Sequence, residues 1–186
     1  MTMVGRRAVL VSLVAMLAGP IWGAEDAEMD FTFNSIDGAE IRLSDFIGKP
    51  VLVVNTASLC GFTYQYEQLQ ALHEAYDGKA VVLAIPSEDF GGQEYASEAE
   101  VKEFCSVNFG LTLPMTEITR VLGTDRHPFY DWAATQGIEP RWNFHKILIG
   151  PDGEIVREFP TPVRPDSPEI TEAIESLIAQ GYPGPA

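Results

Sequence analysis

Cys60 directly follows the apolar run Val51-Leu52-Val53-Val54 and the residues Asn55 to Leu59, and precedes Tyr66, Leu69, Leu72 and Tyr76 at near-helical spacing. A cysteine at such a strand-to-helix corner lies near backbone N–H groups without helical partners and near the positive end of the helix dipole. These surroundings bring a free thiol from about 8.5 down to roughly 3.5–7.5, which supplies thiolate at neutral pH. Thiolate is the form that attacks a peroxide oxygen. The same position also suits a small buried hydrophobe, the usual role of a lone cysteine. Cys105 shares an apolar stripe with Val101 and Phe104, and on that ground reads as a packing residue. No Cys-x-x-Cys pair exists, because Thr63 stands where the second cysteine would be. His73, His127 and His145 have no spacing that would join them as ligands, so neither a metal site nor a bound cofactor is expected.

The elements that must position Cys60 can be read from the same pattern. Phe31, Phe33, Ile36, Ile41 and Leu43 flank an Asp37-Gly38 turn and predict an N-terminal hairpin. Val51–Val54 and Ala80–Ile85 are apolar on both faces, as central strands are, with a helix between them. Ser97 and Glu100 form a capping box that starts a helix over about 97–107, and a shorter one starts near Pro128. Lys146–Ile149, the turn Pro151-Asp152-Gly153, and Ile155, Arg157 and Phe159 predict an antiparallel strand pair. Ser167-Pro168 opens a last helix with the stripe Ile170, Ala173, Ile174, Leu177 and Ile178. The order predicts an α/β fold of the thioredoxin-like kind, a central mixed sheet flanked by helices and preceded by a β-hairpin.

Residues 1–24 differ in character from the rest. Arg6 and Arg7 precede the apolar run Ala8–Ala18, and Gly19-Pro20 ends it, which is the order of a secretory signal peptide. The run is shorter than the ~20 residues that span a bilayer, so cleavage with no stable membrane insertion is expected, and an uncleaved anchor is the alternative. Removing that segment leaves 10 basic against 27 acidic side chains, a formal charge of −17 on residues 25–186. Such a balance excludes nucleic acid as a partner class and predicts a strongly solvated surface. No Pro/Gly-rich linker divides residues 28–180, and residues 25–186 read as one exported, periplasmic domain.

Three segments carry a resemblance. NTASLCGFT (Asn55–Thr63), IPSEDFGGQE (Ile85–Glu94) and RWNFHKILI (Arg141–Ile149) resemble the three motifs of the glutathione peroxidases, in order and at the expected spacing. Peroxiredoxins place a threonine three residues before the active cysteine, where this chain has Ala57. The resemblance implies a thiol peroxidase that reduces hydrogen peroxide or organic hydroperoxides without a cofactor. It also implies that Trp142 and Asn143 donate N–H bonds to the Cys60 sulfur. Phe104-Cys105, upstream of Leu113-Pro114-Met115, is similar to the helix bearing the resolving cysteine of the thioredoxin-dependent members. On that likeness Cys105 resolves the Cys60 sulfenic acid after local unwinding, and a thioredoxin-like dithiol recycles the disulfide. The short Phe109–Pro114 segment implies a monomer with such a reductant rather than glutathione.

The chain departs from the family where an Asn-Gln pair precedes Phe-Gly, because it has Glu88 and Asp89 there. The family glutamine donates to the thiolate, whereas a carboxylate 4 Å away would repel it by about 4 kcal/mol at an effective dielectric near 20. Asp89 is then protonated, turned away, or a brake on the reaction. Gln93 matches a different glutamine of the motif. His145 could face the sulfur as a proton donor, and Lys146 reads as a partner in a surface ion pair. The non-enzymatic alternative is a thiol redox sensor or binding module in which Cys60 and Cys105 form a structural disulfide.

Overall fold

The computed structural model describes residues 29–181. The signal segment expected over 1–24 lies outside the described residues. Strands β1 (Thr32–Asn34) and β2 (Glu40–Arg42) form the N-terminal hairpin, and a single 3-10 turn over Leu43–Phe46 follows them. Then come β3 (Val51–Thr56), α1 (Gln65–Ala75), β4 (Val81–Pro86), α2 (Glu98–Phe109), α3 (Pro128–Thr135), β5 (Lys146–Ile149), β6 (Ile155–Phe159) and α4 (Pro168–Gln180). The main sheet has the order β4-β3-β5-β6, with β3 and β4 parallel and the other pairs antiparallel.

Alternation along β3 divides the core. Leu52 and Val54 pack on one face with Tyr66, Leu69 and Leu72 of α1, Val101 and Cys105 of α2, and Ile170 and Ile174 of α4. Val51 and Val53 pack on the other with Phe33, Leu43, and Phe129, Tyr130 and Ala133 of α3. Each of these strand residues is completely or almost completely buried, which is worth about 1.5–3 kcal/mol per side chain relative to exposure.

Register brings three segments to one end of the sheet. Thr56, the last residue of β3, pairs with Pro86, the last residue of β4, while β5 enters antiparallel with Lys146 opposite Val54. The chain leaving β3, the chain leaving β4 and the chain entering β5 therefore converge there. Those are residues 57–64, 87–97 and 141–145, which contain the three motifs.

Helix α1 begins at Gln65, in keeping with the spacing from Tyr66, so Cys60 sits in a turn and Gly61–Tyr64 separate it from the helix. Helix α2 runs two residues beyond 107, to Phe109, and closes on Gly110 at φ 60°. The Gly110 N–H donates to Ser106 O and the Leu111 N–H to Cys105 O, a left-handed glycine cap that a longer helix requires.

Candidate active site

The turn that carries Cys60 is organised by Thr63. Its hydroxyl accepts the Cys60 N–H at 3.1 Å and lies 2.9 Å from Ala57 O and 2.7 Å from Cys60 O, to one of which it donates. This satisfies the backbone ahead of the helix and leaves the thiol 8% exposed. The Phe62 N–H donates to the Cys60 sulfur at 3.4 Å. A turn N–H, rather than an α1 N-terminal N–H, is thus the backbone donor to the sulfur.

The second segment holds the turn from the side. The Leu59 N–H donates to Gln93 O at 2.9 Å, and the Ser58 N–H to Glu94 Oε1 at 3.1 Å. Glu94 also accepts the Tyr95 N–H at 3.0 Å. Burial pushes the Glu94 carboxyl upward, with those hydrogen bonds opposing. Glu94 was within the second motif, but nothing in its sequence neighbourhood marked it as more than a surface acid.

The third segment is pinned to the end of β3. Asn55 Nδ2 donates to Trp142 O at 3.0 Å, and the Phe144 N–H to Asn55 O at 2.6 Å. Phe144 takes φ 59°, a conformation that costs a non-glycine residue on the order of 1–3 kcal/mol. Its ring is fully buried edge-on to Tyr66 at 5.3 Å, which holds the backbone there. The turn this produces leaves Trp142 41% exposed beside Phe90, at 5.8 Å between ring centroids. Asn143 is fully buried, and its amide N–H groups go to Gln93 Oε1 at 3.0 Å and Phe90 O at 3.5 Å. In this state the asparagine binds the second motif, and its own Oδ1 has no partner.

Asp89 faces the segment before α3. Its Oδ2 accepts the N–H groups of Val121 at 2.7 Å and Leu122 at 2.9 Å, and its Oδ1 lies 3.1 Å from Arg120 Nε. Arg120 also reaches Glu88 at 3.6 Å. The carboxylate set against the thiolate by sequence reasoning is therefore balanced by a cation and two backbone dipoles. A neutral glutamine could not take the same three contacts. These are the contacts of a residue that positions the 120–122 segment.

Cys105 is buried on α2 in the same core cluster as Cys60 and Ala57, and both cysteines are free thiols. Burial pushes the Cys105 thiol up to about 11; Tyr66 and Ser58 lower it and Glu94 raises it. His145 lies with its Nε2 3.0 Å from Glu158 Oε2 on β6, and burial moves its ring downward while Glu158 opposes. Lys146 corrects the expectation of a surface ion pair. Its Nζ is buried, donating to Gln65 Oε1 at 2.6 Å, Thr161 O at 3.2 Å and Val163 O at 2.5 Å. Burial lowers that amine to about 7.

The glutathione peroxidase family profile matches residues 29–134, more than half of the chain and inclusive of the first two motifs. The chain belongs to the glutathione peroxidase family. It is similar to the hydroperoxy fatty acid reductase of Synechocystis sp., 38% identical over an alignment of 160 residues that covers 80% of this chain and 94% of that protein. It also resembles the thioredoxin/glutathione peroxidase BtuE of Escherichia coli, at 32% identity over 84% of this chain and all of that one. Among solved structures, the crystal structure of Trgpx in apo form superposes with a TM-score of 0.68 at 34% identity, covering 86% of this chain and 99% of that chain. The fold of this family member is thioredoxin-like. It is a thiol peroxidase, an oxidoreductase that takes a hydroperoxide as oxidant and a thiol as reductant.

Proposed function

We propose that the enzyme works through a Cys60 sulfenic acid that Cys105 resolves. The Cys60 thiolate attacks the distal peroxide oxygen, the O–O bond breaks, and the alcohol or water leaves with a proton while the sulfur is oxidised to S–OH. Cys105 then displaces the hydroxyl, giving water and a Cys60–Cys105 disulfide, and a thioredoxin-like dithiol reduces it by exchange. Trp142 and Asn143 close on the sulfur as charge develops, and Asp89 keeps the 120–122 segment in place.

The observation that carries this reading is the placement of both cysteines in one buried cluster, with the Cys60 turn held by the second motif and the third motif bonded to the second. The exposed side chains of Leu59 and Tyr64, one and four residues from Cys60, and of Trp142 in the third motif offer apolar surface to a protein reductant. The name of the E. coli relative agrees with a thioredoxin-type donor. We further place the enzyme as a monomer in the periplasm, from the apolar run Ala8–Ala18 behind two arginines and the short 109–114 segment.

Steady-state turnover with thioredoxin and an organic hydroperoxide tests the cycle. Cys60→Ser should abolish it, and Cys105→Ser should stop after one oxidation with sulfenic acid trapped. Undiminished turnover of Cys105→Ser with thioredoxin would remove Cys105 from the cycle.

A further inference from the structure

A buried polar cluster joins the two cysteines, and the cycle above leaves it unused. Glu94 Oε1 is fixed by the Ser58 N–H, two residues before Cys60, whereas Oε2 is buried with no hydrogen-bond partner. The Ser58, Thr56 and Tyr66 hydroxyl oxygens are likewise buried and unpartnered. Unsatisfied buried polar atoms each cost on the order of 1–3 kcal/mol, so such a group beside one thiol calls for a reason. The thiol beside three of them is Cys105, which feels Tyr66 from α1, Ser58 from the Cys60 turn and Glu94 from the chain ahead of α2. The groups that titrate around the Glu94 carboxylate are accordingly the Cys105 thiol and the Tyr66 phenol.

Resting on the resolving role of Cys105, we propose that Glu94 is the proton carrier of disulfide formation. Its free oxygen takes the Cys105 thiol proton as the sulfur–sulfur bond forms and delivers it to the hydroxide that leaves Cys60. The S–H and S–O bonds break, the S–S and O–H bonds form, and water is the only product besides the disulfide. Glu94 is suited to this because it is anchored to the turn that carries the electrophile, so it stays beside Cys60 when the end of α2 unwinds. Burial raises its carboxyl, which brings it closer to the pH at which a proton carrier is efficient. A thiol held high by its surroundings is the group that needs such help.

Rapid mixing of the reduced protein with hydroperoxide across pH 4.5–8, with the sulfenic acid followed by a dimedone-type trap and the disulfide by quenched mass analysis, separates the two steps. Glu94→Gln keeps an acceptor for Ser58 and Tyr95, and should slow disulfide formation at least tenfold at pH 7. The parent rate should fall on the acid side as the carboxylate protonates, and that limb should vanish in Glu94→Gln and return in Glu94→Asp. Equal rates, or slowing with the acid limb retained, would overturn the proposal. Should Glu94→Gln not fold, a flat acid side in the unaltered protein would overturn it alone. Failure of sulfenic acid to form in the unaltered protein would instead sink the cycle itself.

Discussion

Replacing Asp89 by glutamine restores the side chain the family carries at that position, and two accounts of Asp89 give opposite results. If the carboxylate repelled the Cys60 thiolate by about 4 kcal/mol, its removal would speed thiolate chemistry by about three powers of ten at neutral pH. The structure argues otherwise, since both oxygens are committed to Val121, Leu122 and Arg120. Hydrogen bonds to charged groups contribute about 1.5–3 kcal/mol each, and glutamine can retain one backbone contact. Asp89→Gln should therefore destabilise the fold by about 2–4 kcal/mol. With a urea slope of roughly 2 kcal/mol per molar, the unfolding midpoint falls by about 1–2 M. Alkylation of Cys60 by iodoacetamide at pH 7, in a Cys105→Ser background, should stay within about threefold of the parent. A hundredfold or greater rise in that rate with an unshifted urea midpoint would refute the positioning role.

Other outcomes follow from the same contacts. Lys146 is held near 7 by burial against 10.5 in an unfolded chain, so between about pH 7 and 9.5 the unfolded state binds a proton that the folded state lacks. Stability should rise with pH across that window by up to about 1.4 kcal/mol per unit, and Lys146→Met should remove the slope in urea titrations. The same variant leaves Gln65 Oε1 and the Thr161 and Val163 carbonyls, two of which a neutral amine can serve at pH 9, without any donor, and should lose about 1–3 kcal/mol there. Gly110→Ala places a side chain at φ 60° in the cap of α2; it should cost about 1 kcal/mol and, by loosening the helix end, speed disulfide formation measured after a peroxide pulse.

Local pattern made most of the fold legible. Strands β3 and β4 announced themselves by apolar runs, α2 by Ser97 and Glu100, and α4 by its stripe, because each of those signals lies within one turn or one pleat. Cys60 was legible for the same reason. What failed depended on partners distant in sequence. The charge of Asp89 is balanced by Arg120, thirty-one positions on, and no periodicity reports such a pair. Lys146 reads from its sequence as a partner in a surface ion pair, whereas Gln65 and the 161–163 carbonyls fold over it. The turn between Cys60 and α1 is completed by the Thr63 hydroxyl, a contact that the periodicity from Tyr66 onward does not report. Glu94 was hidden by its type, since an acid followed by Tyr-Ala-Ser gives no sign of burial.

The central claim is that one hydroperoxide oxidises Cys60 and that Cys105 then captures it. Mixing the fully reduced protein with an equimolar amount of organic hydroperoxide, quenching with acid at intervals and mapping the cysteines by mass spectrometry tests it directly. The account predicts sulfenic acid at Cys60 first, then conversion to a single intramolecular Cys60–Cys105 disulfide. Oxidation that leaves Cys60 as a free thiol, or a Cys60 sulfenic acid that persists beside a reduced Cys105, would contradict it.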